Sequence, residues 1–91
     1  MVKFRDRFAK GKSYLLLCNE NNPPHDYAVT TLMKVWGCDQ TTAEKFTEEV
    51  ESKGDCVVGE CSIERGMDIL MEVNALNIAS GNHLRFKIVC S

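Results

Sequence analysis

The chain predicts an α+β two-layer sandwich, with three helices on one face of a small, three-stranded, mainly antiparallel sheet. Three observations carry this. Two short apolar runs and one alternating run read as strands. Three longer stretches place apolar residues at helical spacing, each closed by a glycine. The resulting order, β-α-α-β-α-β, stacks helices on a sheet in two layers. A chain of 91 residues forms one domain, and at this size folding hides roughly 60–65% of the unfolded surface. One modest core is therefore expected.

The first strand is Ser13–Cys18, where Leu15, Leu16, Leu17 and Cys18 make an apolar run. Asn19, Glu20, Asn21 and Asn22 follow, and Pro23 and Pro24 end any regular structure. A polar turn between a buried strand and a helix is held at both ends, so its oxygens suit recognition of a small cation or donor. The first helix spans about Asp26–Trp36, with Asp26 the better side-chain cap and His25 the other candidate. Tyr27, Ala28, Leu32, Val35 and Trp36 fall near helical spacing, and Gly37 supplies the stop.

Asp39 caps a second helix that runs to about Ser52, with Ala43, Phe46 and Val50 on its inner stripe and Gly54 at its end. Cys56–Cys61 reads as the second strand. Ser62 caps the third helix, whose apolar face is expected through Gly66, Leu70, Val73 and Leu76 until Ser80, Gly81 and Asn82 terminate it. The last strand sends Leu84, Phe86, Ile88 and Cys90 one way and His83, Arg85 and Lys87 the other. That alternation predicts a sheet with one wet face and one face against the helices.

Charge divides the chain unevenly. Residues 1–12 hold five bases (Lys3, Arg5, Arg7, Lys10, Lys12) against Asp6, a net +4, which leaves −6 to the rest of a chain carrying −2. A basic flexible arm over 1–12 and a core domain over 13–91 follow. Only Phe4 and Phe8 interleave with the arm's charges, and an acidic body repels phosphate, so no nucleic-acid partner is expected. No apolar run approaches the ~20 residues of a membrane span. Five cysteines cannot all pair and no secretory segment precedes them, so a reduced, cytoplasmic protein is expected. There is no Cys-x-x-Cys pair, and His25 and His83 lack ligand-spaced neighbours, so neither metal nor cofactor is expected. The cysteines read as small core fillers.

From about Tyr14 to Val89 the chain resembles ClpS, the small adaptor that hands proteins bearing an N-degron to a AAA+ unfoldase-protease. The resemblance rests on Leu16-Leu-Cys-Asn-Glu20 with Pro24, on Leu32-Met-Lys-Val-Trp-Gly37, and on Val50 with Lys53-Gly54. It continues through Val58-Gly59, Ser62-Ile-Glu64, Val73-Asn74 and His83-Leu84. The order and spacing of these pieces are specific where no single piece is.

The resemblance implies a non-enzymatic adaptor, with a hydrophobic pocket for the first side chain of a protein and polar rim groups for its α-amine. The family's rim Asn and Asp fall on Asn19 and Glu20, and its rim His falls on Glu51. Wall positions fall on Pro23, His25, Ala28, Thr47, Val50 and Leu84. His25 and Thr47 stand where the family typically has methionines, so a more polar pocket is implied. A second surface, for the N-terminal domain of the unfoldase, would use Glu64, while its Lys falls on Ile69. The implied partners are a AAA+ Clp-type unfoldase and the N-terminal peptides of substrates, bound by a monomer.

One rival keeps the fold but changes or loses the pocket, giving an interaction module for a AAA+ or other protein; the residues at 25, 47, 51 and 69 favour it. Another is the related C-terminal domain of the ribosomal stalk, against which the 19–24 segment argues. An enzyme is the weakest reading, since no catalytic pair or triad stands out.

Overall fold

The computed structural model describes residues 12–18, 20 and 23–90. The order is β1 (Ser13–Cys18), α1 (His25–Val35), α2 (Gln40–Lys53), β2 (Asp55–Glu60), α3 (Ile63–Ser80) and β3 (Arg85–Cys90). The first strand in the chain is the middle strand of the sheet, which runs β2-β1-β3 with both pairings antiparallel. Of the arm over 1–12 only Lys12 belongs to the described residues, and Asn19 lies outside them.

Central placement explains the apolar run of β1. Leu15 and Leu17 point into the helices, opposite Ile88 and Phe86 of β3. Leu16 and Cys18 alternate to the other face and are still only 8% and 1% exposed. The expectation of one wholly wet face is thus corrected at the middle strand, which is covered on both sides. The register against β2 skips Val58 between the pairs Leu15–Gly59 and Leu16–Val57. Such an extra residue bends the strand locally.

Asp39 accepts a 2.8 Å hydrogen bond from the Thr42 amide, and Ser62 accepts one of 3.0 Å from the Arg65 amide, as their positions predict. The first helix is the exception. Its cap is Pro24, which makes no side-chain hydrogen bond, and Asp26 lies in the first turn. The proline has already turned the chain, its carbonyl accepting from the Ala28 amide at 3.1 Å. Asp26 instead offers a negative charge to the positive end of the helix.

Gly54, at φ +100°, ends α2 and turns the chain straight into β2, which begins at Asp55 rather than Cys56. On α3 the buried residues are Gly66, Ile69 and Val73, with Leu70 and Leu76 half-buried at the flank. A Cβ at Gly66 would come within 2.8 Å of Ile88 Cδ1. The bare glycine is what lets α3 lie this close to β3.

Candidate functional site

One hollow opens between the end of β1, the start of α1 and the inner face of α2. Leu17, Cys18, Pro23, Ala28, Thr47, Val50, Glu51 and Leu84 line it. Each element contributes by its own periodicity. On α2, Thr47 and Val50 are three apart and share the inner ridge with Ala43. Thr47 donates its hydroxyl to the Ala43 carbonyl at 2.8 Å, so a polar residue sits 3% exposed with its hydrogen bond satisfied. Its hydroxyl is thereby committed to its own helix.

Leu84 is fixed from outside the hollow. Asn77, near the end of α3, donates its amide to the Leu84 carbonyl at 2.9 Å and accepts from the Leu84 N–H at 3.1 Å. The same Asn77 oxygen accepts the Tyr27 hydroxyl at 2.7 Å. One side chain therefore ties α3, the approach to β3, and α1 around a single wall of the site. Nothing in the periodicity singled Asn77 out; its place one turn before the Gly81 stop was the available signal.

The cavity volume is about 10 Å³, close to what one water molecule needs. At its mouth Glu51 sits beside His25. The His25 Nδ1–H donates to both carboxylate oxygens, at 3.2 and 3.1 Å. That hydrogen bond is the main cause that raises the His25 pKa; desolvation opposes it, and the nearby charges of Glu51, Asp26 and Glu48 add to it. His25 is thus part of the rim and not of the lining.

Glu20 is elsewhere. Its carboxylate meets Arg85 Nη1 at 3.2 Å and Lys87 Nζ at 3.7 Å. These two bases lie opposite Cys18 and Leu16 in the ladder, so they share the sheet face turned away from the helices. Glu20 has joined that outer face through its two ion pairs with β3. Cys18 feels the arrangement: burial raises its pKa, and Asp55, Lys87, Glu20 and Arg85 all act on it. The structure accordingly brings Pro23, Ala28, Thr47, Val50, Glu51 and Leu84 together, sets His25 beside them, and directs Glu20 away. Asn19 lies outside the described residues.

Of the two docking positions, Glu64 is exposed in the first turn of α3. Ile69 is corrected: at 3% exposure it is a core residue between α3 and the sheet and offers no surface contact. All five cysteines are free; Cys18, Cys56 and Cys61 are buried. Burial, followed by a hydrogen bond to Glu49, pushes the Cys56 thiol up to about 12. A thiol so held is a poor nucleophile. Among the described residues no group of three His, Cys, Asp or Glu could hold a metal, and no helix is long and apolar enough to cross a membrane.

The fold is thus a helix-backed antiparallel sheet with a small lined hollow at one end. The profile of one family, described as the ATP-dependent Clp protease adaptor protein ClpS, matches residues 10–87, and the chain belongs to that family. Among solved structures, Agrobacterium tumefaciens ClpS2 bound to L-phenylalaninamide superposes with a TM-score of 0.81 at 18% identity, over 91% of this chain and 100% of that one. The likeness establishes the shared fold. No curated protein matches the sequence. Family membership carries with it an adaptor role toward a Clp-type AAA+ partner, and adaptors of this family are non-catalytic.

Proposed function

We propose that this protein recognises the free N-terminus of other proteins through the hollow between β1, α1 and α2, and delivers them to a Clp-type AAA+ unfoldase-protease. One observation carries the reading. Six positions nominated from the family register converge on one small apolar hollow, with the Glu51 carboxylate at its mouth. The solved relative in complex with L-phenylalaninamide, an amino-acid amide with a free amine, fits the same use.

The energetics are adequate. A hydrogen bond to a charged group contributes roughly 1.5–3 kcal/mol, and a buried Leu or Phe side chain about 1.5–3 kcal/mol. A few such contacts reach micromolar affinity, about −8 kcal/mol, after the costs of association. An α-amine with a pKa of about 7.7–8.0 arrives mostly as a cation.

A cavity of about 10 Å³ does not hold a leucine side chain, so binding requires the site to open. Leu17 and Leu84 are core residues, whereas Pro23 is half-buried and His25 and Glu51 are exposed at their tips. The turn side therefore yields, with the His25–Glu51 pair parting so that Glu51 receives the amine. The protein acts as a soluble cytoplasmic monomer, without nucleic acid or membrane, and as a binder rather than an enzyme.

Fluorescence anisotropy with peptides beginning in Leu, Phe, Tyr or Trp tests this. Measurable binding that acetylation of the α-amine abolishes is the expected result; equal binding of free and acetylated peptides rejects it. The small cavity and the outward Glu20 favour a second reading, an interaction module with an altered pocket. Retention of a Clp-type unfoldase with no preference among N-termini supports that one.

A further inference from the structure

The surface of α3 carries a feature that the hollow does not use. Of five exposed large hydrophobic residues among the described ones, four lie on this helix: Ile63 at 53%, Met67 at 55%, Met71 at 70% and Ile78 at 76%. The first three are four residues apart and form one ridge. Glu64, Asp68 and Glu72, all exposed, form the next ridge round. Among the described residues no ion pair reaches any of these three acids. A contiguous apolar strip beside a row of free carboxylates is an unusual thing to leave in water.

The chain itself supplies the complement. Met1–Gly11 carries Lys3, Arg5, Arg7 and Lys10 against Asp6, with Phe4 and Phe8 set four apart. The point of departure is also right. Lys12 lies against Glu60, Nζ to Oε1 3.3 Å, and lines a surface hollow with Glu60 and Ser62. The Cys61 amide donates to the Ser13 carbonyl at 3.0 Å. Lys12, the residue next to the segment in the chain, thus lies beside the start of α3. Ile63 to Met71 spans about 12 Å at 1.5 Å per residue, and the four residues from Phe8 to Lys12 cover up to about 13 Å.

We propose that the segment Met1–Gly11 docks on the outer face of α3 in the same molecule, placing Phe4 and Phe8 on the Ile63–Met67–Met71 ridge and its bases along Glu64, Asp68 and Glu72. Charge complementarity, reach and the shared starting point select this occupant. The docked segment shields a methionine-rich surface that would otherwise take many partners.

Methyl-labelled methionine NMR on the full chain tests it. Ring currents from the phenylalanines should displace the Met67 and Met71 methyl signals, equally at low and high protein concentration. A full-length Phe4→Ser/Phe8→Ser variant should lose that displacement, while Met33 on α1 stays unmoved. Charge reversal through Glu64→Lys and Asp68→Lys should release the segment likewise and speed tryptic cleavage at Arg5 and Arg7 several-fold. Methyl signals that do not differ between wild type and the double variant overturn the proposal. A displacement that grows with concentration overturns it too, since the segment then sits on a second copy. Both variants alter only exposed residues or the segment itself, and unchanged thermal melts exclude misfolding as a cause.

Discussion

The inner face of α2 and the turn after β1 border the same hollow and behave differently. Ala43, Thr47 and Val50 land where helical spacing sends them, all buried toward the sheet. Glu20, two residues beyond a strand, is claimed by Arg85 and Lys87, which lie far along the chain on the opposite face of the sheet. The difference teaches that a side chain on a regular element inherits its direction from backbone geometry. A side chain on a turn takes its direction from the charges that tertiary structure brings within reach.

The largest test of that contrast concerns the wall. Leu17→Ala, at a residue 1% exposed, should destabilise the fold by about 2–5 kcal/mol in urea denaturation. A loss below about 1 kcal/mol would mean that the wall is no more rigid than the turn. Next comes Asn77→Ala, which strips Leu84 of both backbone partners and Tyr27 of its acceptor. A cost of roughly 1–3 kcal/mol is expected, together with weaker peptide binding through a displaced Leu84.

The rim is expected to show up in binding and not in stability. Glu51→Gln should weaken capture of a free N-terminus about tenfold, near 1.4 kcal/mol, with the melting curve unchanged. Glu20→Gln should change binding less, because its carboxylate serves Arg85 and Lys87. Equal losses in the two variants would return Glu20 to the site and erase the contrast.

The smallest effect is a titration. The hydrogen bond to Glu51 raises the folded-state pKa of His25, so the pair stabilises most below the unfolded value of about 6.5. That contribution fades as pH rises through the higher folded value. An NMR titration of the His25 ring should show a midpoint above about 6.5 that falls back in Glu51→Gln. If capture requires the His25–Glu51 pair to part, peptide affinity should rise over the same interval.

How far the chain could be read follows from the same division. The element order, the Asp39 and Ser62 caps and the glycine stops were legible because each depends on neighbours within four residues. The α2 side of the hollow was legible in its spacing, which sends Ala43 and Val50 inward. Ile69 was not, because Val73 is flanked by apolar residues on both ridges of α3, and periodicity alone cannot choose between Ile69 and Leu70. The close seat of Gly66 on Ile88 makes that choice. The α1 cap was missed because Asp26 has the better side chain while Pro24 already holds the bend.

The strand order has a consequence for synthesis. The middle of the sheet leaves the ribosome first, and its partner β3 is the last element of the described chain. At about 5–20 residues per second, the Leu15–Cys18 run waits on the order of several seconds for its second neighbour. Until then one flank of a greasy strand stands open to whatever nascent chain or chaperone lies nearby. A member of an adaptor family thus begins its own life in need of an escort.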